Sequence, residues 1–263
     1  MGNSVCHISD AISYIASENL WIEGSAIQQL HTTAALPGMT RVVGMPDLHP
    51  GRGYPIGAAF FSTGRFYPAL VGNDIGCGMA LWQTDLVRRK YNADKVEKRL
   101  SALGDSASAD WLDEAVPDAW QNHPWRAALG SIGGGNHFAE LQQVDSVTDA
   151  ALFAQSGLDE QRLLLLAHSG SRGLGQQILR RHVDAFSHAG LVEGSDAARH
   201  YLAEHDDALN FARINRALIA RRILDHLNAD GEALLDVAHN FVEACIVGGE
   251  AGWLHRKGAT PDV

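Results

Sequence analysis

The chain has 263 residues, 46% of them hydrophobic and 20% charged, and a formal net charge of −10 at pH 7. That length carries a large core in one big domain or two ordinary ones, and the composition is that of a globular protein with no low-complexity tract. The negative balance excludes coating nucleic acid through bulk charge while leaving room for a local basic groove, no apolar run approaches a membrane span, and Cys6, Cys77 and Cys245 are too few and too dispersed for a disulfide framework.

The cysteine usage fits a reducing, cytoplasmic setting, and the start Met1-Gly2-Asn3-Ser4 has no basic segment followed by an apolar one, so no signal peptide is expected. Residues 7 to 17 read as a short helix. Residues 24 to 35 read as a second, with Ser25 as N-cap and Pro37-Gly38 as the stop, and with His31 as a surface or packing residue. Val42-Val43 then reads as a short strand and Ile56 to Phe61 as a buried one. The Pro- and Gly-rich loop expected between them carries Asp47, His49 and Arg52. An acid, an imidazole and a guanidinium on one loop suit a site wall, and spacing alone equally suits a turn in which Asp47 bonds local backbone.

The next stretch, Leu70 to Met79 (L-V-G-N-D-I-G-C-G-M), organises the chain. It sets Asp74 three residues before Cys77, among Gly72, Asn73, Gly76 and Gly78. Glycine is unfavourable inside helices and strands but suits a tight loop that aims two side chains at one point. A thiolate with a spare lone pair can bridge two metal ions while a carboxylate holds one of them; the alternative is a turn with a buried cysteine. Ala80 to Leu86 leaves the loop as a strand, and with the earlier runs it points to a mixed sheet. Ala93 to Leu103 reads as an amphipathic helix with its basic residues outward, and residues 104 to 118 as an acidic surface segment.

A second glycine cluster, Gly130 to Glu140 (G-S-I-G-G-G-N-H-F-A-E), is neither a Walker loop nor a dinucleotide fingerprint. A third, Leu163 to Gly175, runs from four leucines through His168 to a Ser/Gly turn with Arg172 and a helix from Leu174 to about Phe186. Strand, small-residue turn and helix is the layout of an anion site, with Arg172 and two hydroxyls to hold a phosphate; an empty βα-turn is the alternative. Residues 196 to 227 read as one or two helices. Their histidines (His200, His205, His226) are expected at the surface or in packing. Arg180, Arg181, Arg213, Arg216, Arg221 and Arg222 are expected on a solvated helix face. His239-Asn240 ends a last apolar run, and with no repeat or linker the chain reads as one domain over residues 1–263.

Asp74, Cys77, His137, His168 and His239 come from four separate segments that each arrive at a loop. Two metals bridged by one thiolate would use all five, with Asp, Cys and His at one ion and Cys, His and His at the other. Scattered histidines that bind nothing are the competing explanation.

The motifs M-P-D-L-H-P-G-R-G-Y-P-I-G, Y-P-A-L-V-G-N-D-I-G-C-G-M, G-S-I-G-G-G-N-H-F-A-E, A-H-S-G-S-R-G-L-G, A-H-N and W-L-H-R-K-G-A-T closely resemble, in order, those of the RtcB family of RNA ligases. They cover most of the chain from about Ala26 to Thr260, and the P-G-R-G-Y-P-I-G form resembles the branch encoded beside peptide release factor H. The resemblance implies an α+β fold, a mixed α/β sandwich with a dinuclear metal site in a central cleft, two Mn²⁺ ions and GTP. It also implies RNA partners, a 3′-phosphate or 2′,3′-cyclic phosphate end being joined to a 5′-hydroxyl end, and no membrane partner. Carried over by motif, Asp74, Cys77 and His137 would hold one Mn²⁺, and Cys77, His168 and His239 the other. Asn136, His137, Phe138, Ala139, Glu140, His239 and Asn240 would contact the guanylate, and Asp47 and Arg172 would work near the RNA phosphate.

One departure accompanies the resemblance. The family attacks GTP with a histidine downstream of H-R-K-G-A-T, and these 263 residues stop three residues after that motif. His255 is not in the matching context. The expectation is therefore a shortened ligase sequence that does not guanylylate itself. The other readings are a dinuclear metal phosphoesterase that opens 2′,3′-cyclic phosphates, or a non-catalytic RNA-end binder.

Overall fold

The structure is a computed structural model that describes residues 4–17 and 20–261. Residues 1–3, on which the expectation of no signal peptide partly rests, lie outside it. Helices and sheets both contribute, as expected of a mixed α+β chain. Among the described residues no helix is long and apolar enough to cross a membrane. The chain groups into two compact units. One comprises residues up to Gly76, Ser171–Leu209 and residues from Ala238 onward; the other comprises Cys77–Gly170 and Asn210–Val237.

In the first unit, β1 (Ser4–His7) and β2 (Ile12–Ala16) form an antiparallel hairpin, and β2 continues in parallel beside β3 (Met39–His49), with Ile12 opposite Val42. The expected helix over residues 7 to 17 is instead the end of β1, a bend and β2. Val5, Ile12, Tyr14 and Ile15 are β-branched or aromatic, and a free sheet edge rewards that composition more than a solitary turn of helix does. β4 (Ile56–Ser62), β11 (Asn240–Val247) and β12 (Glu250–Lys257) complete a six-stranded sheet in the order β1-β2-β3-β4-β12-β11, and β5 (Arg65–Phe66) pairs antiparallel with β9 (Leu191–Val192). β3 extends through Asp47 and His49, so the loop between β3 and β4 begins only at Pro50. Gly57, at φ +70°, is required in β4: a Cβ there would lie 2.7–2.8 Å from Asp47 atoms.

Helix α1 (Gly24–Ala34) forms where expected and buries Ala26, Leu30 and Thr33, one stripe at helical spacing. Glu23 occupies its N-cap position without a side-chain cap bond; Ser25 instead donates to the Glu23 carboxylate at 3.4 Å. Exposed His31 agrees with its reading as a surface residue. The core joins Ile12, Leu30, Val42, Leu48, Phe60 and Tyr67.

His255 lies wholly inside this unit. Its Nδ1–H donates to the Phe60 carbonyl at 3.0 Å and its Nε2 accepts from the Tyr67 amide at 2.9 Å. Burial holds its pKa down to about 4. The unfolded chain therefore binds the extra proton below about pH 6.5. The stability that neutral His255 contributes is complete above that pH and is lost as pH falls toward about 4. Urea titrations at stepped pH are expected to show a loss of roughly 3 kcal/mol across that window, with a smaller loss in His255→Gln. Parallel wild-type and variant profiles would refute this.

In the second unit, β6 (Gly78–Val87), β7 (Phe138–Gln142), β8 (Arg162–Ser169) and β10 (Gly231–Ala238) form a four-stranded sheet in the order β10-β6-β8-β7. Its core includes Ala80, Trp82, Leu165, Ala167, Ile219, Ile223 and Leu224. Helix α2 (Ala93–Leu100) begins at Asn92, whose side chain accepts from the Lys95 amide at 2.9 Å. The segment 104–118 is not only surface: helix α3 (Ala109–Ala115), capped by Ser108, buries Leu112 and Ala115. A short helix α4 (Ala150–Gln155) precedes β8, while helix α5 (Gly173–Phe186), next after β8 in the chain, belongs to the first unit.

Residues 196–227 form a single helix, α6 (Asp196–Leu227), residues 196–209 counting with the first unit and the rest with the second. Arg180, Arg181, Arg213 and Arg221 are exposed as expected, but Arg216 and Arg222 are buried at 2% and 8% exposure. Arg216 pairs with Asp236 and donates to the Ser169 carbonyl at 2.8 Å. Arg222 donates to the carbonyls of Gly130, Gly104 and Ser106. Charge patterning failed here because each guanidinium finds its acceptors remote in sequence.

Candidate metal centre

The sheet of the second unit explains how three of the proposed ligands meet. His168 is the penultimate residue of β8 and stands opposite Met79 of β6 on one side and Phe138 of β7 on the other. Cys77 immediately precedes β6 and His137 immediately precedes β7, so both arrive beside the end of β8. Cys77 Sγ lies 3.4 Å from His137 Nε2 and 3.3 Å from His168 Nε2. Cys77 is 3% exposed and His168 4%. The His137 Nδ1 lies 3.2 Å from the Ile132 carbonyl, and a proton donated there leaves Nε2 as the lone-pair donor facing the sulfur. The Phe138 ring stacks edge-on against His168 with centroids 5.3 Å apart.

The Asp74 loop is held by its own unit. The Arg172 amide donates to Asp74 Oδ1 at 2.8 Å, and Asn240 Nδ2 donates to the Asp74 carbonyl at 3.1 Å. The Gly76 amide donates to the Asn240 carbonyl at 2.8 Å, and the Ser171 amide to the Ile75 carbonyl at 3.2 Å. Gly175, in the first turn of α5, lets these pieces close up: a Cβ there would lie 2.4 Å from Ser171 Oγ and 2.8 Å from the Asn73 carbonyl oxygen. Arg172 has φ +61°, a left-handed conformation unusual for a side-chain-bearing residue, and this strain accompanies its bond to Asp74. His239 lies between β10 and β11, next to Asn240.

The five proposed ligands fall into two triads that share the thiol. Donor atoms of Asp74, Cys77 and His137 all lie within 4.8 Å of one another, and so do those of Cys77, His168 and His239. Sulfur and nitrogen ligands on one ion at about 2.3 and 2.1 Å stand roughly 3.5 Å apart in tetrahedral geometry. The two sulfur–nitrogen separations at Cys77 are of that size. A carboxylate, a thiol and imidazoles are donors that a borderline divalent cation accepts, so the residues present fit two ions.

The other expected site residues are placed more variously. Asn136 and Glu140 are exposed on either side of His137, Phe138 and Ala139, and Glu140 accepts from Gln142 at 2.7 Å. Asn240 spends its amide on the backbone, donating to Asp74 and accepting from the Gly258 amide at 2.8 Å. Asp47 is exposed, with the His49 ring against its carbonyl at 2.7 Å. The two hydroxyls expected to hold a phosphate are both buried: Ser169 Oγ donates to the Ile132 carbonyl at 3.1 Å, and Ser171 packs on Gly175. Arg172 is left as the cation of that turn.

Two supporting residues escaped the sequence reading. Asn215, fully buried on α6, accepts from the Gly130 amide at 2.8 Å and donates to Ser131 and to Ser169 Oγ. Arg216 holds the Ser169 carbonyl next to His168. Both sit in a helix with ordinary polar spacing, and no local signal separates them from surface residues.

A family model described as "tRNA-splicing ligase RtcB" matches residues 29–123 and 95–262. RNA-splicing ligase RtcB2 of Escherichia coli is 71% identical over 262 residues, which span 100% of this chain and 69% of that protein. RNA-splicing ligase RtcB of Mycobacterium tuberculosis is 30% identical over 315 aligned positions, covering 88% of this chain and 71% of its own length. The tRNA-splicing ligase RtcB of Thermococcus kodakarensis is 31% identical over 310 positions, covering 89% and 64%.

Proposed function

The chain belongs to the RtcB family, and from that premise we propose that it is a cytoplasmic RNA ligase sequence acting on 3′-phosphate or 2′,3′-cyclic phosphate ends and 5′-hydroxyl ends, with two Mn²⁺ ions and GTP as cofactors. The observation that carries the reading is the shared thiol, one buried cysteine within reach of two separate ligand triads. Asp74, Cys77 and His137 would hold one ion, and Cys77, His168 and His239 the other. Bound there, the ions would neutralise a phosphate under attack and orient the attacking oxygen.

The remaining roles belong to the chain itself. Asn136 and Glu140, both exposed, flank His137 and would bind a nucleotide edge. Arg172 is the cation for the RNA phosphate, its backbone fixed by Asp74. Asp47, exposed on β3, faces the solvent from which an RNA end arrives. Asn240 acts as a positioning residue, because its amide links the Asp74 loop to Gly258.

The test uses the 263-residue polypeptide with Mn²⁺ and an RNA ending in a 2′,3′-cyclic phosphate. Opening of the ring to a 3′-phosphate is expected, with loss in Cys77→Ala. Added α-labelled GTP is expected to leave no covalent label on this polypeptide, because the family's nucleophilic histidine has no counterpart in its matched motifs. An unopened ring would remove the reading, and covalent label would mean that a residue within these positions serves as nucleophile. Opening without any joining, in a polypeptide extended to the downstream motif, would favour the phosphoesterase reading.

A further inference from the structure

Eleven residues after Cys77, the charge of the chain reverses. Between Arg88 and Arg99 there are six basic residues (Arg88, Arg89, Lys90, Lys95, Lys98, Arg99) against two acids, in a protein of net charge −10. All six are exposed. They lie on a 3₁₀ turn, Arg88–Lys90, and on α2, within the second unit.

The turn and the helix border a groove of about 330 Å³. Lys90, Lys95 and Arg99 line it, with Leu86 and Val96 contributing apolar surface and Tyr91, 48% exposed, an aromatic ring. The acid lining it, Asp85, already accepts from the Asp230 amide at 3.1 Å. Among the described residues Lys90 and Lys95 have no salt-bridge partner, whereas Arg99 is fixed by donating to the Leu227 carbonyl.

We infer that this groove binds the body of a single-stranded RNA, its phosphates on Lys90, Lys95 and Arg99 and a base on Tyr91. Cationic rim, apolar lining and exposed aromatic ring together match a strand that presents a phosphate and a flat base at each step. A bilayer surface would need aliphatic side chains that protrude, and Leu86 and Val96 are partly buried. The inference rests on the reading above that RNA is the substrate, and adds a second contact to it. β6 supplies the ruler: it starts one residue after Cys77 and ends one residue before Arg88, so its ten residues put the groove on the order of 30 Å from Cys77. A stacked strand at about 3.4 Å per nucleotide covers that distance in roughly nine nucleotides.

The experiment measures anisotropy of fluorescent RNAs of about 5 and about 20 nucleotides, each ending in a 2′,3′-cyclic phosphate, against the 263-residue polypeptide over a salt series. The longer RNA is expected to bind more tightly and with the steeper salt dependence. K90E/K95E should weaken the longer RNA by about tenfold or more, and the neutral K90Q/K95Q should lower its salt slope by about 1.4, two phosphates at about 0.7 each. Neither should change the shorter RNA. Tyr91→Ala should cost the longer RNA about tenfold with an unchanged slope. Equal binding of the longer RNA by wild type and both lysine variants would overturn the inference and leave the proposed function standing. Wild type that binds neither RNA would remove both. Loss of phosphatidylserine-vesicle binding in K90Q/K95Q, with RNA binding unchanged, would reassign the groove to membranes and also overturn the inference.

Discussion

Replacing Cys77 by alanine is expected to abolish binding of both metal ions at once. The thiol is the one donor common to the two triads, each with donor atoms within 4.8 Å of one another. Asp74→Ala or His137→Ala removes a ligand from the first triad alone, and His168→Ala or His239→Ala from the second alone. The expected stoichiometry is two Co²⁺ per wild-type chain, one in each single-triad variant, and none in Cys77→Ala. Affinity for each ion should fall by more than about 100-fold in Cys77→Ala, beyond what loss of an outer-shell partner costs. The thiolate-to-Co²⁺ absorption band reports the same event, since bound metal keeps Cys77 deprotonated. A Cys77→Ala protein that still binds two ions would contradict the bridging role.

The second large effect concerns stability. Arg216 is 2% exposed, pairs with Asp236 and donates to the Ser169 carbonyl at 2.8 Å. Arg216→Ala leaves that carboxylate and carbonyl without their cation and should destabilise the second unit by about 3–5 kcal/mol. The lower end is expected, because the Asp236 side chain remains 25% exposed and water compensates part of the loss. Arg216→Met combined with Asp236→Leu removes both charges together and should recover much of it. Urea unfolding followed by far-ultraviolet circular dichroism measures all three. Equal destabilisation in the double variant and in Arg216→Ala would show that packing, not the unpaired charge, dominates.

The metal centre was more legible in the sequence than the fold that supports it. Asp74 and Cys77 announce themselves through the glycines around them, and His168 through the leucine strand that it closes. The register of β6, β7 and β8 that brings Cys77 and His137 to His168 is a long-range property no spacing encodes. The same limit explains the misread segments. The β1–β2 hairpin depends on Val42 as a partner strand, and α3 on the burial of Leu112. Arg216 and Arg222 looked like helix surface because their acceptors, Asp236 and Gly130, are remote in the chain. Ser169 looked like a phosphate ligand until Asn215 and Ile132 claimed its hydroxyl.

The most direct test of the account is anomalous diffraction at the manganese edge from crystals grown with Mn²⁺. Two peaks are predicted, both within coordination distance of Cys77 Sγ, one also touching Asp74 and His137 and the other His168 and His239. A single peak, or peaks elsewhere with Cys77 uncoordinated, would contradict the claim that one thiolate bridges two ions.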